Sequence, residues 1–232
     1  MPTLYLVRHG QASFGAADYD RLSELGVRQS ELLGQYWRAR GRGASPHFDA
    51  VLTGTLRRHA QTWAGIAHGL GVNPEERDIA RAQPWLNEYD SAALLEALGA
   101  TSPMPGAVDT TESRRAHFRL LRTALLQWAA GAIAPRGMPS HADFVAGVRA
   151  ALDHVREHCK GDVLIVSSGG PIATAVAQVL GAPAETSIEL NLRLRNSAVT
   201  EFDYTPRRLS LVSFNTIPHL DAPGREDWVT YA

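Results

Sequence analysis

Two kinds of apolar segment take turns along the first seventy residues. "TLYLVR" (3–8) is a short, nearly unbroken apolar run, the pattern of a strand buried on both faces. "LSELGVRQSELLGQYWRAR" (22–40) instead spaces Leu25, Leu32, Leu33 and Tyr36 for one face of a helix, with Ser23 placed as its N-cap. Arg38 and Arg40 suit the negative end of that helix's dipole. The alternation then repeats: "FDAVLTG" (48–54) predicts a second strand and residues 56–70 a second helix. Strand, helix, strand, helix implies parallel strands joined by right-handed crossovers.

Over 71–112 the rhythm is lost among Pro74, Pro84, Pro103, Pro105 and several glycines, and only "SAALLEAL" (91–98) predicts a short helix. Two amphipathic helices follow. One spans 113–130, on Phe118, Leu121, Leu125 and Trp128, and the other spans 141–158, on Phe144, Val148, Leu152 and Val155. Phe118, Trp128 and Phe144 are expected in the core of this part of the chain. "DVLIVSS" (162–168) predicts a third buried strand, then a helix from about 171 to 180, with Gly169 and Gly170 as turn formers between them. The alternating residues around "TPRR" (205–208) predict a closing hairpin. The expected architecture is a single domain over 1–232. It is a three-layer α/β/α fold with a mostly parallel central sheet and a helical insertion over roughly 85–150.

Composition narrows the functional classes. At 232 residues the chain can bury a full core without staples. A net charge of −1 supplies no field for nucleic acid or an anionic membrane. The basic run "RARGRG" reads as a solvated helix end, with no aromatic stacking pattern around it. Cys159 is the only cysteine, so no internal disulfide can form, and nothing near it activates the thiol. No stretch approaches the ~20 apolar residues that span a bilayer. "MPTLYLVRHG" has no basic leader, and the expected location is the cytoplasm. His154 and His158 have a spacing that can bind zinc, but "HVREH" lacks the glutamate of H-E-x-x-H, so no metal site is expected.

The strand ends hold the unusual chemistry. In open α/β sheets, ligands sit at the carboxyl ends of the strands. Here those ends carry Arg8-His9-Gly10, Arg58 at the start of a helix, and Ser167-Ser168-Gly169-Gly170 before another helix. Two guanidiniums, glycine-rich amides and helix N-termini describe a pocket for a tetrahedral dianion. A histidine there can attack phosphorus with a neutral nitrogen.

"LVRHGQAS" resembles the signature of the histidine phosphatase superfamily, which includes phosphoglycerate mutases and acid phosphatases. "LSELGVRQS" is similar to its L-[ST]-x-x-G-x-x-Q segment, "TLRRHAQT" to its L-x-R-A-x-Q-T helix start, "LNEYD" to the strand end that bears its acid, and "LIVSSGGPI" to its second-histidine strand. "RNSAVTEF" and "FNTIPHL" resemble the closing hairpin of the phosphatase-like branch. The resemblance implies a phosphoglycerate mutase-like fold. It also implies a phosphorylated nucleophile at His9, a clamp of Arg8 and Arg58, and Glu88 as general acid and then base, with Asp90 close by. Gly10 would let the backbone approach the anion, and Ser13 and Gly169 would help to hold it. The family's S-H-G reads Ser167-Ser168-Gly169 here, so Ser168 stands where the second histidine is expected. A serine can donate one hydrogen bond but brings no charge; His59 and His219 are candidates to fill the gap.

These residues lead to a phosphatase that hydrolyses a small-molecule phosphomonoester without a cofactor, through a phosphohistidine at His9. A phosphate-binding module with weak catalysis, caused by Ser168, is the alternative. A phosphoglycerate mutase is less favoured, because Arg114, Arg115, Arg119 and Arg122 repeat like a solvated helical face rather than a pocket lining. The substrate and the oligomeric state, a homo-oligomer included, stay open.

Overall fold

A computed structural model describes residues 1–13, 20–40, 48–72, 80–99 and 111–231. Pro74, Pro103, Pro105, the last residues of "RARGRG" and the side chain of Arg114 lie outside that description. Six strands form one sheet in the order β3-β2-β4-β1-β5-β6: β1 is Thr3–Arg8, β2 Phe48–Thr53, β3 Ala80–Ala82, β4 Asp162–Ser167, β5 Val199–Thr205 and β6 Arg208–Thr216. β3, β2, β4 and β1 run parallel, and β5 and β6 close the edge antiparallel.

The central strands are apolar throughout because both faces are covered. Leu4, Leu6, Val163 and Ile165 face one side, where they pack on α5 (His141–His158) and α6 (Gly169–Leu180) through Leu152, Val155, Ile172 and Val176. Val7, Leu164 and Val166 face the other, on α1 (Glu24–Ala39) and α2 (Arg57–Leu70) through Leu33, Trp37, Trp63 and Ile66. A separate apolar cluster joins α3 (Ser91–Ala97), α4 (Thr111–Ala129) and α7 (Ala184–Asn191) around Leu94, Leu125, Trp128 and Ile188. No helix among the described residues is long and apolar enough to cross a membrane.

Ser23 caps α1 as expected, its hydroxyl accepting from the Gly26 amide. The buried face of α1 differs from the expected one. Gly26, Gln29, Ser30, Leu33, Gly34 and Trp37 are inside, whereas Leu25, Leu32 and Tyr36 flank it. The reason is α2: a Cβ on Gly34 would lie 2.1 Å from the Ile66 carbonyl oxygen, so the helices meet backbone to backbone where glycines allow it. Phe118, expected in the core, is 37% exposed. Gly169 and Gly170 are the first residues of α6 rather than turn formers. β3 and α7 were not expected. The acid is not at a strand end either: Pro84 starts a 3-10 turn over Pro84–Leu86, and Glu88 follows it.

Candidate active site

Register places the site. Arg8 pairs with Ser167, Thr53 with Val166, and Thr53 with Ala82, so four parallel strands end along one edge. The ladder continues one residue further, with the His9 amide donating to the Ser167 carbonyl at 2.9 Å and the Gly54 amide to the Val166 carbonyl at 3.1 Å. β1 and β4 thus deliver His9 and Ser168 side by side, while β2 feeds the helix that carries Arg58 and His59.

His9 is 4% exposed. Its carbonyl accepts from the Ser197 amide at 3.1 Å and from Asn196 Nδ2 at 3.3 Å, which fixes the strand end. Its Nδ1 lies 2.7 Å from the Gly10 carbonyl. A carbonyl can only accept, so Nδ1 carries the proton, and in the neutral ring the lone pair is on Nε2. Burial, and then the charges of Arg8 and Arg58, hold its pKa well below the ordinary histidine value.

Glu88 shows the opposite shift. Burial raises its pKa, against the Gly170 amide and the charges of Arg8 and Arg58. Its carboxylate oxygens accept from that amide at 3.0 and 3.2 Å, at the N-terminus of α6. A Cβ on Gly170 would fall 2.2 Å from Glu88 Oε1, and one on Gly169 would fall 2.1 Å from Asn191 Oδ1. The glycines let α6 start against these side chains. Asp90, the neighbouring acid, is exposed and caps α3 through the Ala92 and Ala93 amides. The structure therefore sets Glu88 among the charges of both arginines, while the carboxylate of Asp90 is engaged in a helix cap.

The arginines also hold the walls. Arg8 donates through Nη1 to the carbonyls of Leu194 and Tyr231. Arg58 donates to Asp20 at 2.9 Å, and the other oxygen of Asp20 accepts from the Arg57 amide at 2.8 Å. Nothing in the sequence marks Asp20; only the fold sets it beside a guanidinium. The Gly10 amide donates to Thr62 Oγ1 at 3.1 Å, and its missing side chain makes room for the Gly26 carbonyl, 2.3 Å from where a Cβ would be. Glycine at position 10 therefore serves the packing of α1. The Ser13 amide donates to the Arg21 carbonyl at 2.8 Å, and no described contact brings its hydroxyl to His9.

Ser168 is the N-cap residue of α6, yet its side chain makes no capping bond. Its hydroxyl lies 2.7 Å from His59 Nε2 instead. The His59 ring is fully buried, 5.7 Å from the His9 ring between centroids. Burial and the Arg58 charge lower its pKa to about 3, against the backbone of Gly54. His219 is also buried but bonds Ser197 Oγ at 2.8 Å, and Ser197 holds the His9 backbone rather than its ring. Among the described residues no group of three His, Cys, Asp or Glu side chains gathers as a metal site.

This edge offers a neutral imidazole with a directed lone pair, two guanidiniums acting on it, and a carboxyl group inclined to hold a proton. Together these could accept and release a group transferred from an anionic donor. Among solved structures, the fold is similar to Bacillus stearothermophilus YhfR, at 19% identity and a TM-score of 0.64 over 94% of this chain and 99% of that one. It is similar to a phosphoglycerate mutase from Bacillus anthracis, at 20% and 0.62 over 94% of each chain. It is also similar to a mycobacterial glucosyl-3-phosphoglycerate phosphatase in complex with inorganic phosphate, at 21% and 0.61 over 95% and 100%. No curated protein matches the sequence. At these identities the structural likeness carries the fold alone. The sequence itself matches one family model over residues 4–85 and 106–217, which takes in β1 with its Arg8-His9 end and β4 with Ser168. By that match this chain belongs to the histidine phosphatase superfamily (branch 1).

Proposed function

We propose that the protein hydrolyses phosphomonoesters in two steps through His9. The observation that carries this reading is the Nδ1 bond to the Gly10 carbonyl, which leaves the lone pair of a neutral ring on Nε2. In the first step Nε2 attacks phosphorus and a P–N bond forms. The ester P–O bond breaks, and the leaving oxygen takes the proton of Glu88. In the second step the Glu88 carboxylate takes a proton from water, whose oxygen attacks phosphorus. The P–N bond breaks, the electron pair returns to Nε2, and phosphate leaves with Glu88 protonated again. Arg8 and Arg58 stabilise the charge on the transferring group. The phosphatase among the structural neighbours supports hydrolysis, and α4 supports it over mutase chemistry. Arg119 and Arg122 of α4 are exposed and pair with Glu112 and Glu189 rather than lining a pocket.

Turnover of p-nitrophenyl phosphate that His9→Ala abolishes, with radiolabel from a phosphomonoester trapped on wild-type His9, is the expected result. Wild-type turnover at the His9→Ala background would refute it. The pH profile has a definite sign. His9 is neutral down to low pH, and Glu88 must be protonated for the first step. For an alkyl phosphate, kcat/KM therefore falls on the alkaline side, above a Glu88 pKa raised from the ordinary carboxylate value. A panel of phosphomonoesters at pH 5 and pH 7.5 reads this directly; higher kcat/KM at pH 7.5 throughout would contradict the acid role.

One observation favours the weaker reading, a phosphate-binding module with slow turnover: Asp20 already occupies Arg58. Rates near background that rise on Ser168→His would support it.

A further inference from the structure

The bond between His59 and Ser168 is not accounted for by helix capping, packing or the two steps above. A serine at an N-cap ordinarily accepts from an amide of the first helical turn. Here Glu88 takes the Gly170 amide, and the Ser168 hydroxyl is turned to an imidazole from another helix. The surroundings are shaped to that ring. A Cβ on Gly54 would lie 2.1 Å from His59 Nδ1, and Asn87 Oδ1 closes the same space. A buried ring whose Nδ1 has only the Gly54 backbone beside it, and no hydrogen bond of normal geometry, is costly, and an apolar side chain would fill the space more favourably if packing were its only task. The two residues are also the two places where this chain departs from the motifs it resembles. His59 stands for the alanine of L-x-R-A-x-Q-T, and Ser168 for the histidine of S-H-G. Two departures 109 residues apart meet at 2.7 Å.

We propose that His59 is a positioning residue of the phosphoryl site: its Nε2–H donates to Ser168 Oγ and leaves the serine proton directed at a phosphoryl oxygen beside His9. The inference rests on the phosphatase reading and names what replaces the imidazole at the end of β4. Nδ1 faces the Gly54 backbone but makes no hydrogen bond of normal geometry there, so we assign the ring proton to Nε2, 2.7 Å from Ser168 Oγ. Oγ then accepts one hydrogen bond and is free to donate its own. Both residues are 0% exposed. His9, at 4%, is nearly as buried, and the register of β1 with β4 sets it beside Ser168. The imidazole has in effect moved from strand end to helix and acts through a serine. The site then has a donor without a second positive charge.

Four variants test this: His59→Ala, Ser168→Ala, the double variant and His59→Gln, whose amide places a donor near the position of Nε2. For p-nitrophenyl phosphate, each single alanine variant is expected to lower kcat by about 10- to 100-fold with KM within about threefold. The double variant is expected to be no worse than the poorer single one, because the two act as one unit. His59→Gln should recover at least part of the loss at an unchanged pH profile. A His59→Ala rate within twofold of wild type overturns the proposal. So do multiplicative losses in the double variant, a His59→Gln no better than alanine, or ring 15N shifts that place the wild-type proton on Nδ1. His9→Ala separates the two layers: if it abolishes turnover while His59→Ala does not, the phosphatase reading stands and this inference falls. If wild type shows no turnover, the phosphatase reading falls. The inference is then decided by orthovanadate binding in calorimetry, expected about tenfold weaker in His59→Ala and Ser168→Ala; equal affinity overturns it.

Discussion

His9, His59 and His219 are each buried, and each is tied by one ring nitrogen, to the Gly10 carbonyl, Ser168 and Ser197 respectively. All three are held in the neutral form, with His59 and His219 lowered to about 3. That has a consequence for stability. Between the unfolded histidine value of 6.5 and about 3, the unfolded chain binds protons that the native chain does not. Stability therefore falls as pH falls through this window, by about 1.4 kcal/mol per pH unit for each such histidine. Glu88 has the opposite sign. Its raised pKa stabilises below the ordinary carboxylate value, and that contribution is lost as pH rises. Urea melts at pH 7, 5 and 4 should show the acid loss, and His219→Asn should flatten the slope by about one histidine's worth. An unchanged slope would mean His219 titrates normally in the native state. At the same scale, Gly54→Ala puts a methyl group 2.1 Å from His59 Nδ1. The ring must shift, so we expect about 1–3 kcal/mol of destabilisation together with a fall in kcat like that of His59→Ala. Denaturation and turnover measured on the same preparation check both.

Between elements, most residues of the family segments support the site instead of facing a ligand. Ser23 caps α1, and Gln29 accepts from the Gln11 amide and donates to the Trp228 carbonyl. Gln61 accepts from the Leu22 amide, and Thr62 accepts from that of Gly10. These bonds lock the end of β1 to the starts of α1 and α2. The contact between the two helices depends on glycine. Cβ atoms on Gly34 and Gly69 would each meet a carbonyl oxygen at 2.1 Å, those of Ile66 and Glu31. Backbone cannot give way as a side-chain tip can. Gly34→Ala should therefore cost about 2–3 kcal/mol or more, read as a lower urea midpoint at unchanged m-value. A loss under 0.5 kcal/mol would mean the helices are not so close. This contact also explains why the α1 helix was legible in the sequence but its buried face was not. Hydrophobic periodicity counts apolar side chains, and this face packs in part through glycines, which have none, and through the polar Gln29 and Ser30.

Across the whole molecule, the sheet register and the C-terminal segment complete the site. Residues 226–231 fold back on it: the Thr230 carbonyl accepts from the Asn196 amide at 2.8 Å, the Trp228 carbonyl accepts from Gln29, and the Tyr231 carbonyl accepts from Arg8. This segment adds little to the apolar core but holds one of the two guanidiniums. Removing residues 229–232 should lower kcat for p-nitrophenyl phosphate at least about tenfold. Far-ultraviolet circular dichroism should stay close to that of the full chain. Full activity in the truncated protein would show that Arg8 does not need this anchor.

By itself the order of residues determined the central strands, the long helices and the hairpin, because periods of 2 and 3.6 are written in neighbouring positions. It also determined that Arg8 and His9 end a strand and that Arg58 begins a helix. Tertiary structure alone decided what holds Glu88, since its partner amide, that of Gly170, is 82 residues away. It decided likewise that His59 reaches Ser168 while His219 does not, and that Asp20 sits on Arg58. Those choices depend on which strand ends lie side by side and how far each helix start overhangs them. Packing sets both across the whole chain, and no local pattern of side chains encodes either.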